Sequence, residues 1–238
     1  MAKYFADPAK RAVWDGVLAE TRRAEEQQRD GEWITYLIRD PRFEDKKGKP
    51  GLPIYVGQTN DFPERVLSRF NKCEKEALEK GVDCIEARVA ELLHLGLVAR
   101  YQVIDRQPTR LASLVSETNL ARRAWNAGYV LINRKALQNR GGDDITAQMI
   151  PEKWLLEFTL AEAVQDRLVM QLRCPSCRQR TDIPLSYFAS RDEPPRTVRE
   201  IVKNPVWTEE PCGQCGQITG RSIKPRVPCF SLSEPAPA

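Results

Sequence analysis

The stretch from Trp33 to Phe70, WITYLIRDPRFEDKKGKPGLPIYVGQTNDFPERVLSRF, decides how the chain reads. Trp33 to Ile38 and Pro53 to Val56 are short apolar runs, each with one tyrosine among β-branched and aliphatic neighbours. The segment between them is too polar and too rich in glycine and proline to read as a strand, so the pattern predicts a β-hairpin with a long loop from Asp40 to Pro53. After Gly57-Gln58-Thr59 the period changes. Phe62, Val66, Phe70, Cys73 and Ala77 share one helical stripe, with Asp61 as its N-cap. On a neighbouring face Arg65 and Arg69 stand four residues apart and point the same way. Sheet, glycine turn and paired guanidinium groups then meet near one point, which suits a phosphate.

Downstream, Val82 to Leu95 predicts a second helix, with Gly96 as C-cap. It carries His94, the only histidine in the chain, so chemistry that needs a histidine pair or a histidine-rich metal site is excluded. Leu97 to Ile104 reads as the third strand. Pro108 to Asn126 reads as a helix ended by Gly128, with Glu117 off the centre of its apolar stripe, and Tyr129 to Asn133 is a short apolar segment ending in an amide. Upstream, Asp7-Pro8 opens a helix with Val13, Trp14, Val17 and Leu18 as its stripe. Past Thr21 this helix turns polar, TRRAEEQQRD, and reads as a solvated end that carries no site.

These residues resemble the GIY-YIG endonuclease family. Ile34-Thr35-Tyr36 stands at the first motif, Tyr55-Val56-Gly57 at the second, and Arg65 at the helix arginine. Glu117 in SETNLARRAW and Asn133 in YVLINR match the closing glutamate and asparagine. The resemblance covers roughly the region from 30 to 140. Ile34 replaces the usual glycine, the loop between the tyrosines is long, and Arg69 stands where many members carry a histidine. The resemblance implies an α/β fold of the α+β type, a small antiparallel sheet flanked by helices. It also implies a role for each residue: Tyr36 as general base or relay, Tyr55 hydrogen-bonded beside it, Arg65 on the phosphoryl oxygens with Arg69 assisting, Glu117 holding one Mg²⁺ or Mn²⁺, and Asn133 orienting the assembly. An ordinary phenol titrates near ~10, so a neighbouring cation such as Arg65 together with a metal-bound environment is needed to bring it into range.

The composition is that of a soluble protein long enough for one substantial core and a smaller module, 238 residues with a net charge of +4. No apolar run approaches the ~20 residues that span a bilayer, and no signal-peptide pattern stands at the start. The expectation is a cytoplasmic, nucleoid-associated protein. From Leu97 to Arg140 the basic residues include Arg122, Arg123 and Arg134, while Asp105 and Glu117 are the only acids. A lone carboxylate in a basic segment suits a metal beside a phosphodiester.

Gly141-Gly142-Asp143-Asp144 punctuates the chain. The predicted organisation is an N-terminal helix over 1–30, the nuclease-like domain over 31–142, a connecting helix over 143–168 opened by Pro151, a zinc-ribbon-like domain over 169–230 and a disordered tail over 231–238. In the ribbon, Cys174-Pro175-Ser176-Cys177 and Cys212-Gly213-Gln214-Cys215-Gly216 are two CxxC knuckles whose thiolates can close a tetrahedral Zn²⁺ site. Cys73 and Cys84 read as small core residues, and Cys229 as a spare thiol.

The function expected is metal-dependent cleavage of DNA. Lys46, Lys47 and Lys49 of the long loop, Arg122, Arg123 and Arg134, and Arg173, Arg178 and Arg180 of the ribbon are the candidate DNA contacts. A homodimer or two successive nicks would serve double-strand cleavage, and restriction, mobile-element and repair roles all fit. The alternative is a catalytically silent module that binds nucleic acid or protein.

Overall fold

The computed structural model describes residues 8–80, 83–132, 144–204, 211–217 and 222–228. The chain divides into two units, residues 1–144 and 145–238, each built on a three-stranded antiparallel sheet with helices against it. Among the described residues, no helix is long and apolar enough to cross a membrane.

In the first unit the elements are α1 (Pro8–Gln27), β1 (Trp33–Glu44), β2 (Pro50–Thr59), α2 (Phe62–Lys80), α3 (Ile85–His94), β3 (Arg100–Gln107) and α4 (Arg110–Asn126), with sheet order β2-β1-β3. Strand alternation sorts the two faces. Ile34, Tyr36 and Ile38 bury against Val17, Phe62, Val66, Phe70, Val89 and Leu92, whereas Leu37 and Val56 meet Ala121 and Leu131 on the other side. Helix starts follow local chemistry. Asp61 Oδ1 accepts from the Glu64 amide at 3.0 Å, Cys84 Sγ caps α3 and Thr109 caps α4. The end of α1 is not fully solvated as its composition suggests: Thr21 and Ala24 are buried, and Glu20 accepts from the Tyr101 amide at 2.5 Å.

The hairpin loop is far shorter than expected. Both strands run on through the polar segment, and only a turn near Asp45 to Lys49 remains, closed by Asp45 Oδ1 on the amides of Lys47 (2.8 Å) and Lys49 (2.9 Å). The prolines that argued for a loop occupy tolerant places. Pro41 falls in an irregular step between Asp40 and Glu44, and Pro50 and Pro53 lie on β2, an edge strand.

The second unit holds α5 (Glu152–Leu155), α6 (Leu160–Gln165), β4 (Val169–Arg173), β5 (Arg180–Pro184), α7 (Leu185–Ala189), α8 (Val198–Lys203) and β6 (Ser222–Arg226), in sheet order β5-β4-β6. The single helix expected after Pro151 is two short ones. Thr159 starts α6 through a capping box with Glu162, and Phe158, fully buried just before it, fixes the break. The bridge Thr159 to Thr197 and the Lys224–Glu152 ion pair at 3.5 Å hold this segment within the second unit.

Candidate active site and metal centre

Register brings the two tyrosines to one spot. Tyr36 lies across from Gly57, and Tyr55 across from Ile38 on the same face. A Cβ on Gly57 would stand 2.7 Å from both Cζ and Oη of Tyr36 and 2.8 Å from Cε1 of Tyr55, so only glycine lets both rings close over the strand. Tyr36 is 1% exposed, with Phe62 and Tyr101 against it at ring-centroid distances of 5.3 and 5.9 Å. Tyr55 is half-buried.

The two arginines of α2 part company. Arg65 is exposed, but Arg69 is buried, with Nη1 donating to Glu86 Oε1 at 2.9 Å and its guanidinium 4.8 Å from the Tyr55 ring centroid. The expectation that both project the same way is therefore corrected in part: only Arg65 reaches solvent, although both charges act on the two phenols. Each helical step turns ~100°, so residues four apart diverge by ~40°, enough to put one on the core side.

The charges of Arg65, Arg69 and Glu117 all act on both phenols. Burial, reinforced by Tyr55, drives the Tyr36 phenol far above its ordinary range, and Arg69 and Arg65 oppose this without reversing it. The arginines alone therefore do not bring the phenol into range. Burial also raises Tyr55, with Arg69 the main opposing charge. Glu117 is half-buried, yet enough of its surroundings exclude water to push its carboxyl up to about 7 against the pull of Arg65. Asn133 lies outside the described residues.

Two participants escape the sequence reading. Glu86 looks like an ordinary polar residue in the first turn of α3. Tyr101 lies across from Ile38 on β3, 2% exposed, and its buried hydroxyl has no hydrogen-bond partner among the described residues. Strand alternation was the signal available for Tyr101.

The candidate DNA contacts fare unevenly. Lys46 donates to the Ala127 carbonyl at 2.8 Å and lies 5.6 Å from the Tyr129 ring centroid, so it caps the end of α4. Lys47 and Lys49 are exposed. Arg122 is buried at 6% exposure and is withdrawn as a surface contact, because the helix turns it inward beside Ala121. Arg123 is exposed and pairs with Asp144. Arg134 lies outside the described residues. Arg173 and Arg180 are exposed and directly opposite on β4 and β5, and Arg178 is exposed as well. His94 pairs at the surface with Glu74 at 3.3 Å.

In the second unit the sulfurs of Cys174, Cys177, Cys212 and Cys215 lie within 4.8 Å of one another. The knuckles have the same construction. The Cys174 amide donates to Gln179 O and the Cys212 amide to Gln217 O, both at 2.9 Å, and the residue after each second cysteine has positive φ, 61° at Arg178 and 70° at Gly216. The amides of Gln214 and Cys215 draw the Cys212 thiol down to about 6. Four clustered thiols, one of them already inclined to ionise, form a donor set that suits a tetrahedral metal such as Zn²⁺. Cys73 is buried, and Cys229 lies outside the described residues.

Compared with known protein families, curated proteins and solved structures, the chain matches none.

Proposed function

We propose that the chain is a divalent-metal-dependent endonuclease that hydrolyses phosphodiester bonds in DNA, of the GIY-YIG type. What supports this reading is that Tyr36 and Tyr55 close over Gly57 on a small antiparallel sheet, with the charges of Arg65 and Glu117 acting on both phenols. Glu117 supports it in particular. A carboxylate kept short of water has its ionisation pushed up to about 7 because burial outweighs the pull of Arg65, and a hard oxygen donor of this kind suits Mg²⁺ or Mn²⁺.

When bound, such a cation supplies charge stabilisation on the phosphoryl oxygens and a more acidic water. Arg65, exposed at the start of α2, bonds non-bridging phosphoryl oxygens. Tyr55 and Tyr36 remain neutral phenols until positive charge arrives beside them, and they direct the attacking water by hydrogen bonds. Arg173 and Arg180 face each other as like charges across the ribbon, an unfavourable pairing that a backbone phosphate relieves. With one such site per chain, double-strand cleavage takes a homodimer or two successive nicks. Zn²⁺ in the four-cysteine cluster has a structural part only.

A second reading, a nucleic-acid-binding module without cleavage, is favoured by the burial of Tyr36 and by the neutralisation of Arg69 by Glu86. Supercoiled plasmid and branched oligonucleotides incubated with protein and Mg²⁺, beside Glu117→Ala and Tyr36→Phe, separate the two. Cleavage by the wild type alone, with DNA binding kept by all three proteins, is the expected result. Binding without cleavage by the wild type selects the second reading.

A further inference from the structure

We propose that Glu86 is a positioning residue, which holds Arg69 against the ring of Tyr55 and through it fixes the direction of the paired phenols. The proposal rests on the nuclease reading for its consequence, but its geometry stands alone. The side chains of Arg69 and Glu86 are 7% and 11% exposed, and they meet at 2.9 Å between α2 and α3. A buried ion pair is weak evidence for stability, since an apolar pair of like volume commonly serves as well or better. The next contact gives the pair a role other than stability.

The Arg69 guanidinium lies 4.8 Å from the Tyr55 ring centroid. Tyr55 in turn packs with Tyr36 over Gly57, where a single added carbon would strike both rings. The contacts thus run without a gap from the first turn of α3, through α2, to the edge strand β2. A carboxylate at position 86 directs the planar fork of Arg69, which a rotatable ammonium or an apolar side chain would leave undirected. Because Arg69 is buried, it acts on a substrate through the phenols.

The test combines cleavage kinetics with NMR of the ¹⁵N-labelled guanidinium of Arg69 and the ¹³Cζ-labelled tyrosines. Glu86→Gln is expected to lower kcat by about 10- to 100-fold with KM for plasmid unchanged within about twofold. It should also shift the Arg69 Nε–H and Tyr55 Cζ signals, and Glu86→Asp should restore both readouts in part. Wild-type signals and kcat in Glu86→Gln, or no rescue by aspartate, would overturn the proposal. If Glu86→Gln does not fold, the apolar double variant Arg69→Met with Glu86→Leu takes its place. It should bind DNA, with a displaced Tyr55 signal and a similar loss of kcat, and unchanged values would count against a positioning role. Should the wild type cut no DNA at all, the nuclease reading falls while the NMR arm still decides whether Glu86 holds Arg69 on Tyr55.

Discussion

At the scale of single residues, Glu117 links the site to stability. Its carboxyl is raised by burial from 4.5 to about 7, so its charged form is disfavoured in the fold. Ionisation then destabilises the protein progressively as pH rises from about 4.5 to about 7, and the full cost is present above that window. Glu117→Gln is expected to abolish cleavage yet raise stability at pH 8 by roughly 1–3 kcal/mol, with the gain gone below pH ~4.5; urea unfolding at the two pH values checks it. Gly57→Ala should have the opposite character. Its methyl would meet Tyr36 and Tyr55 under 3 Å away, so the rings must move, at about 1–3 kcal/mol and with loss of nicking. Thermal unfolding and the plasmid assay read the two effects. Tyr36, Tyr55, Arg65 and Glu117 stand out in the sequence because each falls in a short, well-spaced pattern. The Arg69–Glu86 pair was not, because it spans two helices and nothing local tells Arg69 from Arg65.

At the scale of elements, the hairpin shows where composition misleads. Prolines and glycines between Asp40 and Pro53 argue for a loop, but an edge strand and an irregular step accommodate them, and Asp45 builds a tight turn from its own side chain. The basic residues of the turn were then assigned to DNA too freely, since Lys46 serves α4. The two knuckles were legible in full, because CxxC spacing states the chemistry directly. One detail is mismatched between them. Arg178 holds the left-handed conformation that Gly216 adopts without a Cβ, at φ 61° and 70°. Arg178→Gly is expected to stabilise the zinc-loaded second unit by about 1 kcal/mol, a rise in its melting midpoint of about 5 °C by calorimetry. An unchanged or lowered midpoint would show that the side chain of Arg178 contributes more than its backbone strain removes.

At the scale of the whole molecule, each unit has its own sheet, and among the described residues the thiols gather in the second. Stripping the metal with a strong chelator should unfold residues 145–238 and leave the first unit protected, as read by limited proteolysis with mass spectrometry. A protected second unit after complete metal removal would contradict a structural role for the cluster. The two units divide after Asp144, beside the glycine-rich punctuation of the sequence. The broken helix after it was not, since burial of Phe158 and the bridge from Thr159 to Thr197 are tertiary demands. The hairpin carries a last consequence. The step in pairing toward β3 falls between Thr35 and Tyr36, and the one toward β2 between Ile38 and Arg39. Tyr36 to Ile38 are thereby in step with both neighbours, while the arm beyond Arg39 keeps its own count. The arm is nonetheless tied down, by Arg42 to Glu91 of α3 and by Lys46 to the Ala127 carbonyl at the end of α4, so a residue gained or lost near the tip strains these two anchors before it reaches the pairing around Tyr36.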